Sequence, residues 1–323
     1  DISKDGNYII VGARNADNGG RSYIFKLTAG SWGQVDNSVV SGGSLTGYSV
    51  AIDGDGDTVL IGSPNAAAGG SNRGAVLVKT RSGNNWSNEA TLEADNKGDN
   101  DWFGGSVAIS DDGNTAVVGA YYEDTGGSGA GSAYVFTRSG TTWTQKARFQ
   151  GSDTAGGDEF GYVAISGDGS YILVGAGSKA YGGMTPAVGK AYVFTFDGTN
   201  VTQQAILVAS DAVANNKFGR AVAIDGDGDT IAIGGQGGTS VSGTSSVSTE
   251  GAAYIFTRTG TTWTQRQILQ ASDARTQGWF STRVGNGNGA IDLSYDGQML
   301  VVGSWGEYSS NTGAVYGFTR SGN

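Results

Sequence analysis

The chain has 323 residues, 58 of them Gly and only 2 Pro, and 30 acidic against 20 basic side chains give it a formal charge of −10. That acidity argues against nucleic acid as a partner, because a polyanion binder displaces counterions with a basic surface. The chain holds no Cys and no His, which excludes disulfides, thiolate nucleophiles, imidazole bases and the commonest transition-metal ligands; no apolar run approaches the roughly 20 residues of a membrane-spanning helix, so no membrane insertion is expected.

Turn formers outnumber helix formers, which predicts many short strands, and those strands come in a repeated set. Ile2 is followed three residues on by Asp5-Gly6 and ten residues on by Gly12. The same offsets recur from Ile52 (Asp55-Gly56, Gly62), Ile109 (Asp112-Gly113, Gly119), Ile165 (Asp168-Gly169, Gly175), Ile224 (Asp227-Gly228, Gly234) and Leu293 (Asp296-Gly297, Gly303). The spacings between these anchors are 50, 57, 56, 59 and 69 residues. In the unit around Ile109, residues 106–110 predict a first strand and 116–118 a second. Both are short apolar runs bounded by turn residues, the pattern of strands buried on two faces. The Asp-Gly pair between them supplies the left-handed backbone of a tight hairpin. A third strand over 133–137 carries Tyr134-x-Phe136, echoed by Tyr23/Phe25, Tyr192/Phe194, Tyr254/Phe256 and Tyr316/Phe318, with Leu77/Lys79 in the second unit. The turn Arg138-Ser139-Gly140 leads to a fourth strand opening on Trp143, matched by Trp86 and Trp263 and less closely by Trp32 and Val201. Residues 236–250 and 285–289 read as Gly-rich loops.

Four strands per repeat at this spacing predict an all-β fold, a β-propeller of six visible four-stranded blades that is either six-bladed or part of a seven-bladed ring. We expect one domain over 1–323, with units at approximately 1–45, 46–102, 103–159, 160–217, 218–279 and 280–323. The Trp and Tyr-x-Phe positions are expected between blades, the Tyr hydroxyls reaching a polar edge. The pattern holds five fourth strands against six of each other kind, so the expectation is that sequence outside residues 1–323 supplies the missing strand or a seventh blade.

Between each fourth strand and the next anchor lies a Phe-Gly pair: Phe103-Gly104, Phe160-Gly161 and Phe218-Gly219, with Phe280-Ser281 a variant. About ten residues earlier come Gly151-Ser152-Asp153, Ala209-Ser210-Asp211 and Ala271-Ser272-Asp273, and the second strands end on Gly62-Ser63-Pro64, Gly119-Ala120 and Gly175-Ala176. This layout resembles the FG-GAP repeat family, whose repeats form the propeller head of integrin α subunits, and is most similar to a branch found in microbial, algal and viral surface proteins. The resemblance implies ligand recognition outside the cell and bound Ca²⁺. For calcium the candidates are Asp53, Asp55 and Asp57 in one hairpin and Asp225, Asp227 and Asp229 in another, where alternating carboxylates offer hard oxygens. The last carboxylate of the family loop falls on Ile61 and Ile233.

The second–third and fourth–first loops share one face of a propeller and vary here, and variable loops on a rigid frame are where recognition concentrates. On that face Trp102, Tyr121, Tyr122, Tyr181, Trp279, Trp305 and Tyr308 are candidate ligand-binding residues, with Glu123 and Asp124 beside them. The expectation is a non-catalytic module for adhesion, ligand recognition or structural assembly, extracellular or on a cell or virion surface, with a protein or glycan partner. Its alternative is a propeller glycosidase or polysaccharide lyase acting through paired carboxylates.

Overall fold

The computed structural model describes residues 1–38, 45–178, 188–212, 215–235, 251–272, 280–281, 291–304 and 313–321. Blade 1 holds β1 (Tyr8–Ala13), β2 (Arg21–Thr28) and β3 (Ser31–Ser38), with Ile2 bridged to Ile9 on its inner side. Blade 2 holds β4 (Ser49–Ile52), β5 (Thr58–Ser63), β6 (Ala75–Ser82) and β7 (Asn85–Leu92). Blade 3 holds β8 (Ser106–Ile109), β9 (Thr115–Ala120), β10 (Ser132–Ser139) and β11 (Thr142–Phe149). Blade 4 holds β12 (Phe160–Ile165), β13 (Tyr171–Ala176), β14 (Lys190–Phe196) and β15 (Val201–Leu207). Blade 5 holds β16 (Ala221–Ile224), β17 (Thr230–Gly235), β18 (Ala252–Thr259) and β19 (Thr262–Leu269). Blade 6 holds β20 (Ile291–Leu293), β21 (Met299–Ser304) and β22 (Ala314–Thr319). Every sheet is an antiparallel meander in chain order, so the molecule is a six-bladed β-propeller with essentially no helix.

Burial grades from the axis outward. The second strands are wholly buried in β5 and β17, whereas alternate residues of the fourth strands reach solvent. The short apolar runs are therefore second strands sandwiched between neighbouring blades, as their lack of alternation predicts. The third and fourth strands slip register by one residue at the same place in five blades, just before Phe25, Lys79, Phe136, Phe194 and Phe256. Such a bulge adds local twist.

The motif glycines are explained by what lies across the blade boundary. A Cβ on Gly119 would sit 1.8 Å from the carbonyl oxygen of Gly161, and one on Gly175 would sit 1.7 Å from that of Gly219. The second-strand glycine of one blade thus touches the Phe-Gly glycine of the next, backbone to backbone. Beside this contact each motif Phe is fully buried, edge-on to the Tyr of its own third strand: Phe103 with Tyr134 at 5.2 Å, Phe218 with Tyr254 at 5.2 Å, Phe280 with Tyr316 at 5.3 Å. The Tyr hydroxyls do reach a polar edge. Tyr134 donates to Asn96 (3.0 Å) and Tyr192 to Asp153 (2.7 Å), while Tyr254 accepts from Asn216 (3.0 Å). Trp143 and Trp263 pack against the inter-blade cores and donate their ring N–H to Glu89 (2.9 Å) and Gln204 (2.8 Å) of the preceding blade. Lys79, standing where other blades have Phe, is buried and pairs with Asp36 and Ser38 of blade 1.

The channel along the axis opens differently at its two ends. At the end carrying the Asp-Gly hairpins, backbone hydrogen bonds run from blade to blade: Lys4 to Gly54 (3.1 Å), Gly54 to Asp111 (3.1 Å), Asp111 to Gly167 (2.8 Å), Gly167 to Gly226 (3.0 Å) and Gly226 to Tyr295 (2.9 Å), the first of each pair donating. Across this mouth the Lys4 ammonium sits 3.3 Å from the centre of the Tyr295 ring and 3.0 Å from the Asp111 carboxylate. The channel behind is a cavity of about 500 Å³ lined by Val50, Val107, Val163 and Val222, with Asp292 among its few polar groups. Asp292 faces this water-accessible space, but the surrounding protein raises its pKa.

Candidate functional site

The opposite end of the channel carries the loop face. Each fourth–first loop enters its blade through a tight turn over the residue before Phe, the Phe-Gly pair and the residue after it. The residue before Phe, or before Thr46 where blade 2 has Thr-Gly instead of Phe-Gly, adopts a left-handed backbone in four blades: Leu45 at φ 53°, Trp102 at 60°, Glu159 at 55° and Lys217 at 52°. None is Gly, so each pays roughly 1 kcal/mol or more in backbone strain. Hydrogen bonds hold the turn, as where Tyr48 N–H donates to Leu45 O (3.0 Å) and Gly105 N–H to Trp102 O (3.0 Å). Strained non-Gly residues in one register, ringing one mouth, mark a site where side chains outweigh backbone ease.

What these turns present differs around the ring. On the blade 2 and 3 side an aromatic cluster forms. The Trp102 ring lies 5.9 Å from Tyr48, 5.9 Å from Tyr121 and 5.3 Å from Tyr122, mostly edge to face. Tyr121 stacks on Tyr162 at 5.2 Å and donates to the Tyr48 hydroxyl at 2.9 Å. Burial raises the Tyr121 and Tyr162 pKa values, so both phenols stay protonated. On the blade 4 and 5 side the cluster becomes ionic. Arg220 Nη2 donates to Glu159 (2.8 Å), and Tyr162 Oη lies 3.5 Å from the same carboxylate oxygen. Gly177 makes room for this arginine, since a Cβ there would meet Arg220 Cγ at 2.2 Å. Arg220 is only 8% exposed, and its Nε–H finds no hydrogen-bond partner among the described residues. Burial, then the charge of Arg220, lowers the Lys217 pKa. Arg220 moves up despite burial, because the Glu159 carboxylate holds its charge.

Of the ring residues expected from sequence, Trp102, Tyr121 and Tyr122 are brought together here. Trp102 and Tyr122 are half-buried and face the mouth, but Tyr121 is 1% exposed and supports the cluster from below. Glu123 is buried in a network with Arg148 and Ser132, and Asp124 caps the Gly129 amide, so neither serves the mouth. Tyr181, Trp279, Trp305 and Tyr308 lie outside the described residues. Tyr48, Glu159, Tyr162, Lys217 and Arg220 were not anticipated. Their signal was positional: each flanks a Phe-Gly pair or its equivalent.

The two candidate calcium hairpins have a different use for their acids. In blades 1, 3, 4 and 6 the first hairpin opens on Ser, which donates to the hairpin Asp, as from Ser110 to Asp112 (2.5 Å), and accepts the amide five residues on, as from Thr115 (3.0 Å). In blades 2 and 5 an Asp replaces that Ser. Asp53 accepts the amides of Asp57 (2.9 Å) and Thr58 (3.1 Å), and Asp225 those of Asp229 (2.9 Å) and Thr230 (3.1 Å). Asp55 and Asp227 point to solvent, while Asp57 and Asp229 take threonine hydroxyls. Among the described residues no group of three or more acidic side chains lies close enough to share a cation. The residues present therefore do not fit the calcium expected from the resemblance.

A family model for the FG-GAP repeat matches residues 86–136, 143–194 and 201–256. This chain belongs to the FG-GAP repeat family. The matched segments run out of phase with the blades, each starting at a fourth strand and ending in the next third strand. No curated protein matches the FG-GAP chain in sequence. Among solved structures it is similar to a putative 6-phosphogluconolactonase from Bacteroides uniformis ATCC 8492, at 17% identity and TM-score 0.58, over 96% of this chain and 78% of that one. A similar likeness holds to the periplasmic gluconolactonase PpgL of Pseudomonas aeruginosa, at 17% identity and TM-score 0.58, over 97% and 82% of the two chains. A third is to a functionally unknown protein from Desulfotomaculum acetoxidans DSM 771, at 13% identity and TM-score 0.60, over 99% and 81%. At these identities the shared property is the fold. The likenesses nonetheless overturn the expectation that this architecture marks a non-catalytic adhesion or assembly module and no enzyme, since proteins described as lactonases are built the same way. Among the described residues no helix is long and apolar enough to cross a membrane.

Proposed function

We propose that the FG-GAP propeller is a hydrolase of a small cyclic ester of a sugar, a lactonase, working at the loop-face mouth. The observation that carries this reading is the Glu159–Arg220 pair beside Lys217, with a buried Arg220 N–H lacking a protein acceptor. In this reading Glu159 takes a proton from water as the water oxygen bonds to the lactone carbonyl carbon. Arg220 stabilises the oxyanion, the role in which buried donors are worth most. Collapse breaks the ring C–O bond, and Lys217, whose pKa burial lowers, protonates the departing alkoxide. Trp102 and Tyr122 offer apolar faces to the sugar ring. Among the described residues Glu159 is the one acid paired with Arg220, while Asp101 and Asp158, each one residue before a strained turn residue, accept the amides of Gly98 and Ala155. Ester hydrolysis therefore suits this site better than the paired-carboxylate glycosidase. By analogy with PpgL, we place the protein outside the cytoplasm.

Acid release from gluconolactone and 6-phosphogluconolactone, followed at constant pH, tests the proposal. The wild-type chain is expected to exceed spontaneous hydrolysis with at least one of them, and Glu159→Gln to lower kcat by about 10²–10⁴ with an unchanged circular dichroism spectrum. A wild-type rate equal to the spontaneous rate with both lactones would sink the proposal.

A further inference from the structure

Mouth residues meet in pairs across the joints between blades. At three joints the residue that follows a second strand meets the residue that follows the Phe-Gly pair, or its equivalent, of the next blade. Arg14, after β1, holds its guanidinium carbon 5.2 Å from the centre of the Tyr48 ring. Tyr121, after β9, stacks on Tyr162, and Gly177, after β13, leaves the space that Arg220 fills. At the joint of blades 2 and 3 the second place falls to Gly105, where a Cβ would meet Tyr121 Cε1 at 2.4 Å. The two guanidinium groups thus stand at the joints of blades 1–2 and 4–5, on opposite sides of a six-bladed ring. Tyr48, Trp102, Tyr121 and Tyr162 form a continuous aromatic arc between them. The two cations differ in their partners. Arg220 is held by Glu159. Arg14 is half-buried, and among the described residues no carboxylate pairs with it, since Asp17 of the same loop pairs with Arg21. On a chain of charge −10, a cation at a mouth with no counter-ion beside it is a local attractor for anions.

We infer that Arg14 is a subsite for an acidic group, phosphate or carboxylate, carried by the lactone at the end remote from its ester. The inference rests on the hydrolase reading above. With the ester carbonyl at Arg220 and Glu159, the sugar ring lies along the aromatic arc and its acidic substituent meets the Arg14 guanidinium, whose parallel N–H groups suit either anion. The Tyr48 hydroxyl accepts from Tyr121 at 2.9 Å and retains its own O–H, which it donates to the same group. A neutral sugar lactone meets the same aromatic arc but leaves Arg14 without an anion. Arg14 therefore determines specificity and takes no part in the bond-breaking step.

The test follows acid release from 6-phosphogluconolactone, glucarolactone and gluconolactone, which carry a phosphate, a carboxylate and no acid beyond the ester. Wild type is expected to show a KM about tenfold lower for at least one charged lactone than for gluconolactone. Which charged lactone is preferred separates phosphate from carboxylate. Arg14→Gln, with an unchanged circular dichroism spectrum, is expected to erase that preference, the loss falling on KM and not on kcat. Equal KM values for charged and neutral lactones, or a preference that survives Arg14→Gln, would overturn the inference and leave the hydrolase reading standing. Should no lactone be turned over, calorimetry with 6-phosphogluconate and glucarate decides. Binding that Arg14→Gln weakens about tenfold supports the subsite without the hydrolase. Absence of saturable binding, or binding indifferent to the variant, removes the subsite as well.

Discussion

Asp53 and Asp225 show one residue type serving a purpose its spacing did not announce. Burial pushes Asp53 up to about 7 and Asp225 up to about 6, against the amide hydrogen bonds that favour the charge. In the Ser-opened hairpins the balance reverses: burial also acts to raise Asp112 and Asp168, but bonds from Ser110 and Ser166 and from nearby amides hold both below the usual carboxylate range. The two kinds of acid thus make opposite contributions to stability. For the raised pair, the folded chain keeps protons that the unfolded chain releases near 3.8. Their contribution is full below that pH and is lost as pH rises through about 6 and 7. Asp53→Asn with Asp225→Asn keeps an acceptor for the amides and removes the titration. The double variant should gain stability over wild type between pH 4.5 and 8, by on the order of 1 kcal/mol after solvent screening. Urea midpoints across that range check this, and a difference that stays constant with pH would exclude it.

At the scale of the strand and turn, the same amino acid carries two unequal demands. Gly140 sits at φ 62° with nothing within 4 Å of a Cβ, so Gly140→Ala meets only the left-handed penalty of about 1 kcal/mol. Gly119 has ordinary angles but faces the Gly161 carbonyl at 1.8 Å, so Gly119→Ala forces two blades apart and should cost on the order of 3 kcal/mol or more. Chemical denaturation of the two variants gives the ranking directly. Sequence showed both glycines as recurring marks, and it showed the strands and the turn between them, because hairpins are local. It could not show why Gly119 is needed, since the opposing carbonyl belongs to the next repeat. The same distance hid the site. Tyr121 read as an exposed ring because its covers, Tyr48 and Tyr162, come from blades on either side. Glu159, Lys217 and Arg220 were passed over as filler around Phe-Gly. Aligned by that pair, the preceding residue is Trp102, Glu159, Lys217 and Trp279 in successive units. Such chemical variety at one register position was the available clue.

Across the whole molecule, stability should not be uniform. Blades 2 to 5 are covered on both faces, but large apolar side chains stay exposed on the outer members: Ile2 and Val11 on blade 1, Met299, Val301 and Val315 on blade 6, the last 74% exposed. Amide hydrogen exchange should accordingly be slowest in β5, β9, β13 and β17 and faster in β1, β21 and β22. Equal protection across all six second strands would contradict this gradient. The blade-to-blade ladder at the hairpin mouth has a further consequence. Each link uses the same donor position on one repeat and the same acceptor position on the next, always in the same sense around the axis. The couplings are therefore interchangeable. A repeat duplicated or excised between any two of them would meet the same fitting in front and the same fitting behind, so gene-level gain or loss of a unit leaves every joint intact and changes only the bore of the channel.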